Sequence, residues 1–309
     1  MTIDILEDLD SVLRSILQRL SERDEELRSL ARSALSEGRA LLIEGVSSYD
    51  PSAIVGVDGS RARIVTVGSS SVYLCRAVAV WLNGRRVDKA RIVAVDAALD
   101  EDAEGCAEDA MIALETELYS ECIGCRAIVI DGPIVDPPRP PKECFAHEAG
   151  LHEDRARSIK RAIESGALVV GVVKRLKGCL LGAPAHLAYY RLCRLVEDLA
   201  RSRARIVAVP YLGPVAPSDV AEVYRGLGVE ISSFVVLSSS RSSLYRVDVA
   251  PARYARRALE LLASLPQSND GLPLPVSLAH EASRIPRVVV ETLRARAKRF
   301  LLEYASYLQ

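Results

Sequence analysis

The sequence predicts a mixed α/β protein built on one large sheet, with flanking helices and an N-terminal helical segment. Three observations carry that reading. Apolar runs rich in Val, Ile and Ala recur at strand length: "SAIVGVD", "CRAVAVWL", "ARIVAV", "RAIVID" and "ALVVGVV". The first three, with "RIVTV" between the first two, follow one another across short turns, as in an antiparallel meander. From residue 126 onward, strands alternate with segments of helical period, the pattern of crossover units in a parallel sheet.

Taken in order, residues 3–40 read as helical, with Ile5, Leu9, Val12, Leu13, Ile16, Leu20 and Leu27 on one spacing and Glu and Arg filling the rest. Such a polar helix packs on its own domain or on another subunit. Pro51 ends this region, so the chain divides into an N-terminal helical segment, 1–50, and one domain, 51–309. Strands are expected near 53–58, 62–67, 71–82 and 90–95, with Asn83-Gly84 as a hairpin turn. A helix near 106–121 leads to a strand at 126–131, and the loop "PIVDPPRPPKE" then interrupts regular structure. Helix 144–165, strand 167–174, helix 185–203 and strand 205–210 follow. After them come a short helix near 217–227, strands 229–237 and 243–249, helix 252–264, the turn "GLPLPVS" and a last helix near 277–306. No internal repeat is visible. Antiparallel strands, a helix and then a parallel strand are the element order of an RNase H-like sheet.

The chain has 309 residues, 40 basic and 41 acidic, so net charge excludes a uniformly basic nucleic-acid coat and leaves only a local basic patch. No apolar run reaches the length of a membrane span, and the acidic start "MTIDILEDLD" is unlike a signal peptide, so a cytoplasmic protein is expected. Seven scattered cysteines give no disulfide framework, and the one C-x-x-C, Cys122 and Cys125, lacks the second pair a structural zinc needs. Only Asn83, Asn269, Gln18, Gln267 and Gln309 carry side-chain amides, a depletion that hints at a thermophilic source.

Two apolar strands each close on Asp-Gly: Asp58 in "IVGVDGS" and Asp131 in "IVIDGPI". Asp-Gly alone is a common turn pair. Two such carboxylates at the carboxyl edge of a sheet, where open α/β proteins build sites, point instead to a shared divalent cation. The helix between them offers Glu115, at the border of the Met111, Leu114 and Leu118 face, in preference to Glu117. Asp58, Glu115 and Asp131 around a hard cation make a phosphoryl-transfer site. Lys174 ends its strand as the aspartates end theirs, where it contacts a phosphate or simply reaches solvent. His280, in "SLAHEAS", serves as a metal ligand, a proton shuttle or a structural side chain. His147, His152 and His186 lack ligand spacing. Basic residues cluster at Arg155, Arg157, Lys160 and Arg161, at Arg253, Arg256 and Arg257, and on the last helix. Each cluster suits a phosphate backbone or a solvated helix face. Tyr189, Tyr190 and Tyr211 are candidates for base stacking or for the core.

With "GVDGSR", "ALETEL", "IVIDGPI", "VVGVVKR" and "SLAHEASRI" in this order and spacing, nearly the whole chain resembles the NurA nuclease family of archaea and some bacteria. The resemblance implies an RNase H-like core related to the PIWI domain. It implies a manganese (Mn2+) dependent deoxyribonuclease, with magnesium weaker, that cuts single-stranded DNA and resects duplex ends from five-prime to three-prime. It implies a homodimer working with the hexameric HerA-type ATPase in DNA repair. By this resemblance Asp58, Glu115, Asp131, Lys174 and His280 are the catalytic set, with Asp58, Glu115, Asp131 and His280 on the metal. Family members often carry a tyrosine shortly before the histidine. Here "DGLPLPVSLAH" has Leu272 and Leu274, and Tyr254 is the alternative source of an aromatic. Two other classes remain open from the residues. One is an actin- or sugar-kinase-like ATPase with "VDGS" in a phosphate loop, which would need a second such loop. The other is a catalytically silent scaffold for an ATPase ring.

Overall fold

The computed structural model describes residues 9–18, 23–44, 48–96, 102–139, 150–202, 204–238 and 243–307. Nine strands form one mixed sheet: β1 (Leu41–Ile43), β2 (Ile54–Val67), β3 (Ser70–Trp81), β4 (Arg86–Asp96), β5 (Ala127–Asp131), β6 (Leu168–Val173), β9 (Ile206–Pro210), β10 (Ser232–Ser238) and β11 (Ser243–Ala250). Their order is β1-β9-β10-β11-β6-β5-β2-β3-β4, and a separate small ribbon pairs β7 (Cys179–Leu180) with β8 (Ala183–Pro184). The β4-β3-β2 meander is antiparallel, and β2, β5 and β6 run parallel. The molecule therefore has the expected mixed α/β, RNase H-like sheet.

Alternation along the strands splits the core into two layers. Val55, Val57, Ile128 and Ile130 face helices α2 (Ala103–Leu118), α3 (Leu151–Glu164) and α5 (Ser218–Gly226). Farther along the same side, Val207, Val209 and Val235 meet α1 (Asp24–Ser36) and α4 (Ala185–Ala200). Ile54, Ala127, Val129 and Val170 face the opposite side, under α6 (Ala255–Ser264) and α7 (Leu274–Ser283). Helix α8 (Arg287–Tyr307) follows α7.

Several boundaries differ from expectation. The stretches expected as separate strands at 53–58 and 62–67 are one strand, because β3 pairs with β2 throughout, from Val55 opposite Trp81 to Val67 opposite Ser70. The last helix is two, broken at Arg284-Ile285-Pro286, since proline cannot donate within a helix. Strand β1 was not foreseen: it is three residues long and pairs with β9. The helix expected from 144 is described from Leu151, and residues 144–149 lie outside the described set. The Asn83-Gly84 turn is present: Gly84 adopts a positive φ, and the Asn83 side chain accepts from the Arg85 N–H at 3.0 Å. No described helix is long and apolar enough to cross a membrane.

Candidate metal centre

Asp58 does not end its strand. It is the fifth residue of β2, at the point where β2 outlasts its parallel neighbour. Register pairs Val57 with Ile130, so Asp58 and Asp131 each come one residue later on adjacent strands. With period-two alternation both carboxylates face the α7 side, like Ile54 and Val129. Neighbouring strands lie about 5 Å apart, so this register alone brings the acids together.

Helix α7 closes the site from above. It crosses β2 so closely that a Cβ on Gly56 would lie 2.0 Å from the Pro275 carbonyl oxygen, a distance only glycine allows. Pro275 sits at the helix start, where its missing N–H has no intrahelical partner to lose. His280 then lies over the aspartates, its Nδ1 3.2 Å from Asp58 Oδ2 and 3.1 Å from Asp131 Oδ2. Three turn-end contacts hold this helix in place. The Ser283 hydroxyl donates to Asp58 Oδ2 at 2.7 Å, the Ser60 hydroxyl donates to the Ser283 carbonyl, and Arg76 donates to the Arg284 carbonyl at 2.9 Å. Lys174, just past β6, donates to Asp131 Oδ2 at 2.6 Å. One ligand atom each from Asp58, Asp131 and His280 all lie within 4.8 Å of one another, the one such three-residue group among the described residues.

Burial pushes the Asp58 carboxyl up to about 6, and the Asp131 charge beside it adds to the rise. The Ser283 hydroxyl and His280 oppose it. A carboxylate raised in this way beside a second one gains from a cation held between them. Two carboxylate oxygens and one imidazole nitrogen are a donor set that suits a divalent metal ion.

Glu115 is not in that group. Its helix, α2, lies on the opposite side of the sheet from α7. Its side chain reaches β2 beside Asp58 only because residue 59 is glycine, where a Cβ would stand 2.6 Å from Glu115 Oε1. Glu115 Oε2 accepts from Arg155 Nη1 at 3.4 Å, and burial pushes its carboxyl up to about 8 against the pull of Arg155. Glu117 points elsewhere and is held by Lys89 and Arg91.

Arg155 is the residue sequence reasoning misplaced. It does not line a surface path: it is fully buried, and donates to the carbonyls of Ile134 (3.1 Å) and Pro133 (3.4 Å) as well as to Glu115. Burial works against its charge, but Tyr119, Glu115 and Asp136 more than offset that. Asp136, pushed up to about 6 by burial, faces the same guanidinium. The available signal was the helical stripe His152, Arg155, Ala156, Ile159 and Ala162, which is buried along its length. Ser283 was also missed, and nothing in the local pattern marks it.

The remaining candidates fall outside the centre. His152 is buried, its Nε2 2.8 Å from the Arg139 carbonyl. His186 is exposed, and His147 lies outside the described residues. Arg157, Lys160, Arg161, Arg256 and Arg257 are exposed. Tyr189 is core, its hydroxyl accepting from the Leu212 N–H at 2.7 Å. Tyr254 is exposed under the Arg253 guanidinium.

A model of the NurA domain matches residues 52–285, which spans β2 through α7 and includes every member of the cluster. The chain belongs to the NurA domain family. Solved NurA structures share its fold. The NurA nuclease from Sulfolobus solfataricus superposes with a TM-score of 0.65 at 14% identity, over 98% of this chain and 97% of that one. A NurA with manganese gives 0.59 at 13% identity, over 94% and 96%. A NurA bound to dAMP and manganese gives 0.53 at 12% identity, over 90% and 93%. No curated protein sequence matches the chain.

Proposed function

We propose that this NurA-domain chain is a manganese-dependent deoxyribonuclease acting on single strands and DNA ends. The observation that carries the proposal is the convergence of Asp58, Asp131 and His280 on one point at the sheet edge. Those three residues would hold the cation. A bound divalent ion would supply an acidified water and charge stabilisation at the leaving oxygen of a phosphodiester. The protein's own contribution is positional. Ser283 fixes the Asp58 oxygen, and Lys174 sets a point charge beside Asp131 that suits a phosphate oxygen. Glu115, beside Asp58 at Gly59, completes the acidic surroundings as the third carboxyl, with Arg155 setting its orientation. Related structures with manganese and dAMP support this choice of ion and ligand class.

On this reading residues 51–309 form most of a nuclease unit that also takes in α1, packed on α4, and β1, paired with β9, and the protein is a cytoplasmic homodimer. We extend this reading to five-prime to three-prime resection in company with a HerA-type hexameric ATPase. Exposed apolar side chains on the helix at 9–18 (Leu9, Val12, Leu13, Leu17) and on α8 (Phe300, Leu302) are suitable for such contacts. The test is incubation with end-labelled single-stranded DNA and manganese, beside a parallel reaction with ATP alone. Cleavage that vanishes in folded Asp58→Ala and Asp131→Ala supports the nuclease. ATP hydrolysis without cleavage identifies a kinase-type ATPase, and inertness in both a scaffold.

A further inference from the structure

Cys122 and Cys125 lie at the far end of β5 from Asp131 and take no part in the acid cluster. Helix α2 ends at Leu118, and a 3-10 turn carries the chain through Tyr119–Cys122. A tight turn then returns it to β5, closed by the Cys125 N–H donating to the Cys122 carbonyl at 3.0 Å. Gly124, with φ 88°, supplies the left-handed residue at the third position of that turn. A turn closed in this way holds the α-carbons of Cys122 and Cys125 less than about 7 Å apart, the range a disulfide spans.

Their surroundings are unequal. Cys122 is fully buried, its sulfur 3.3 Å from the Leu118 carbonyl oxygen. Cys125 is an acceptor: the Trp81 indole N–H, which can only donate, points at its sulfur at 3.2 Å. The Arg85 guanidinium stacks on that indole, 4.3 Å from the ring centroid. The Cys122 thiol above all, then the indole and Arg85, hold Cys125 down at about 7 against burial. Cys122 is pushed strongly up by Cys125 and by burial. Cys125 is 7% exposed, next to the exposed Ile123. Cys75 and Cys193 are fully buried, and Cys179 is exposed.

The geometry points to Cys122 and Cys125 as a peroxide-oxidisable dithiol, with Cys125 the nucleophile and Cys122 the resolving thiol. The Cys125 thiolate attacks one peroxide oxygen; the O–O bond breaks, hydroxide leaves, and Cys125 becomes a sulfenic acid. The Cys122 sulfur then attacks the Cys125 sulfur. The S–O bond breaks, the hydroxyl leaves with the Cys122 proton as water, and the disulfide forms. The dithiol loses two electrons and one hydrogen peroxide is consumed.

The full-length protein, treated with hydrogen peroxide and then alkylated after denaturation, decides the matter. Cleavage after Glu121 and Arg126 releases the peptide Cys-Ile-Gly-Cys-Arg. It is expected to be unalkylated, lighter than the dithiol form by two hydrogens, and alkylatable again after a reducing step. In Cys122→Ser, Cys125 is expected to be trapped by a sulfenic-acid probe such as dimedone. Double alkylation of the wild-type peptide at peroxide levels that oxidise Cys179 overturns the proposal. So does sulfinic or sulfonic acid at Cys125 with Cys122 still alkylated.

Discussion

Asp58 is buried beside a second carboxylate, so its ionisation opposes folding in the metal-free protein. With the folded value raised to about 6 from the ordinary 3.8, there is no penalty at low pH, where both states are protonated. The penalty grows as pH rises and is complete above the folded value, reaching at most about 3 kcal/mol at about 1.4 kcal/mol per unit. Urea unfolding in chelator should therefore show Asp58→Asn gaining stability over the wild type at pH 7.5 and losing that advantage near pH 4. Parallel curves for the two proteins would refute the assignment. His280 supports a second expectation at this scale. As a ligand, the lone nitrogen among the three donors, it would favour manganese over magnesium. His280→Ala should narrow the manganese-to-magnesium ratio of activity and of binding measured by calorimetry. An unchanged ratio with lower activity would leave His280 a proton-handling or positioning role only.

Arg155 joins three elements: it projects from α3, holds Glu115 on α2 and binds the carbonyls of the loop that follows β5. Removing one partner of a buried charge pair typically destabilises by about 3–5 kcal/mol, and Arg155→Ala is expected in that range. Arg155→Met combined with Glu115→Gln should recover much of the loss, because neither charge is then stranded. A loss below about 1 kcal/mol for the alanine variant would show that the loop and helix hold without it. At Gly56 the close crossing of α7 gives a further expectation. Gly56→Ala should lower both the melting temperature and manganese affinity, since the helix that carries His280 must move off β2. The contrast between these positions shows what was legible beforehand. Asp58, Asp131 and the order of strands and helices were readable, because apolar periodicity and a carboxylate after a buried run are local signals. The continuity of β2 was not, since "GSRAR" reads as a turn and only pairing with β3 keeps it extended. Arg155 looked like one more charge in a basic cluster. Its burial is fixed by which face of α3 meets the sheet, a choice the three-dimensional packing makes.

Across the molecule, the same alternation that sorts core residues also sorts the site's surroundings. Asp58, Asp131, α6 and α7 share one side of the sheet, and Arg256 and Arg257 are exposed on α6. With a net charge of −1, retention of a polyanion would rest on such local concentrations of cations. Charge reversal of Arg256 and Arg257 together should weaken single-strand binding and lower the salt slope by about 2, while a manganese titration stays unchanged. Equal binding at all salt concentrations would place the strand's path elsewhere.

Strand β2 also has a mechanical meaning. Residues 54–57 are laced to neighbours on both flanks, whereas Gly59–Val67 are laced to β3 alone. The overhang is nine residues, about 30 Å of extended chain. Arg294 of α8 grips it through the carbonyls of Arg63 and Ile64. It is a beam built into a wall at one end and loaded near mid-span, and Asp58 is where the beam leaves the wall. A bending moment applied through α8 is greatest at that root. The gap between Asp58 and Asp131, and with it the fit of any ion they share, is where a pull on the chain's C-terminal helix would first be felt.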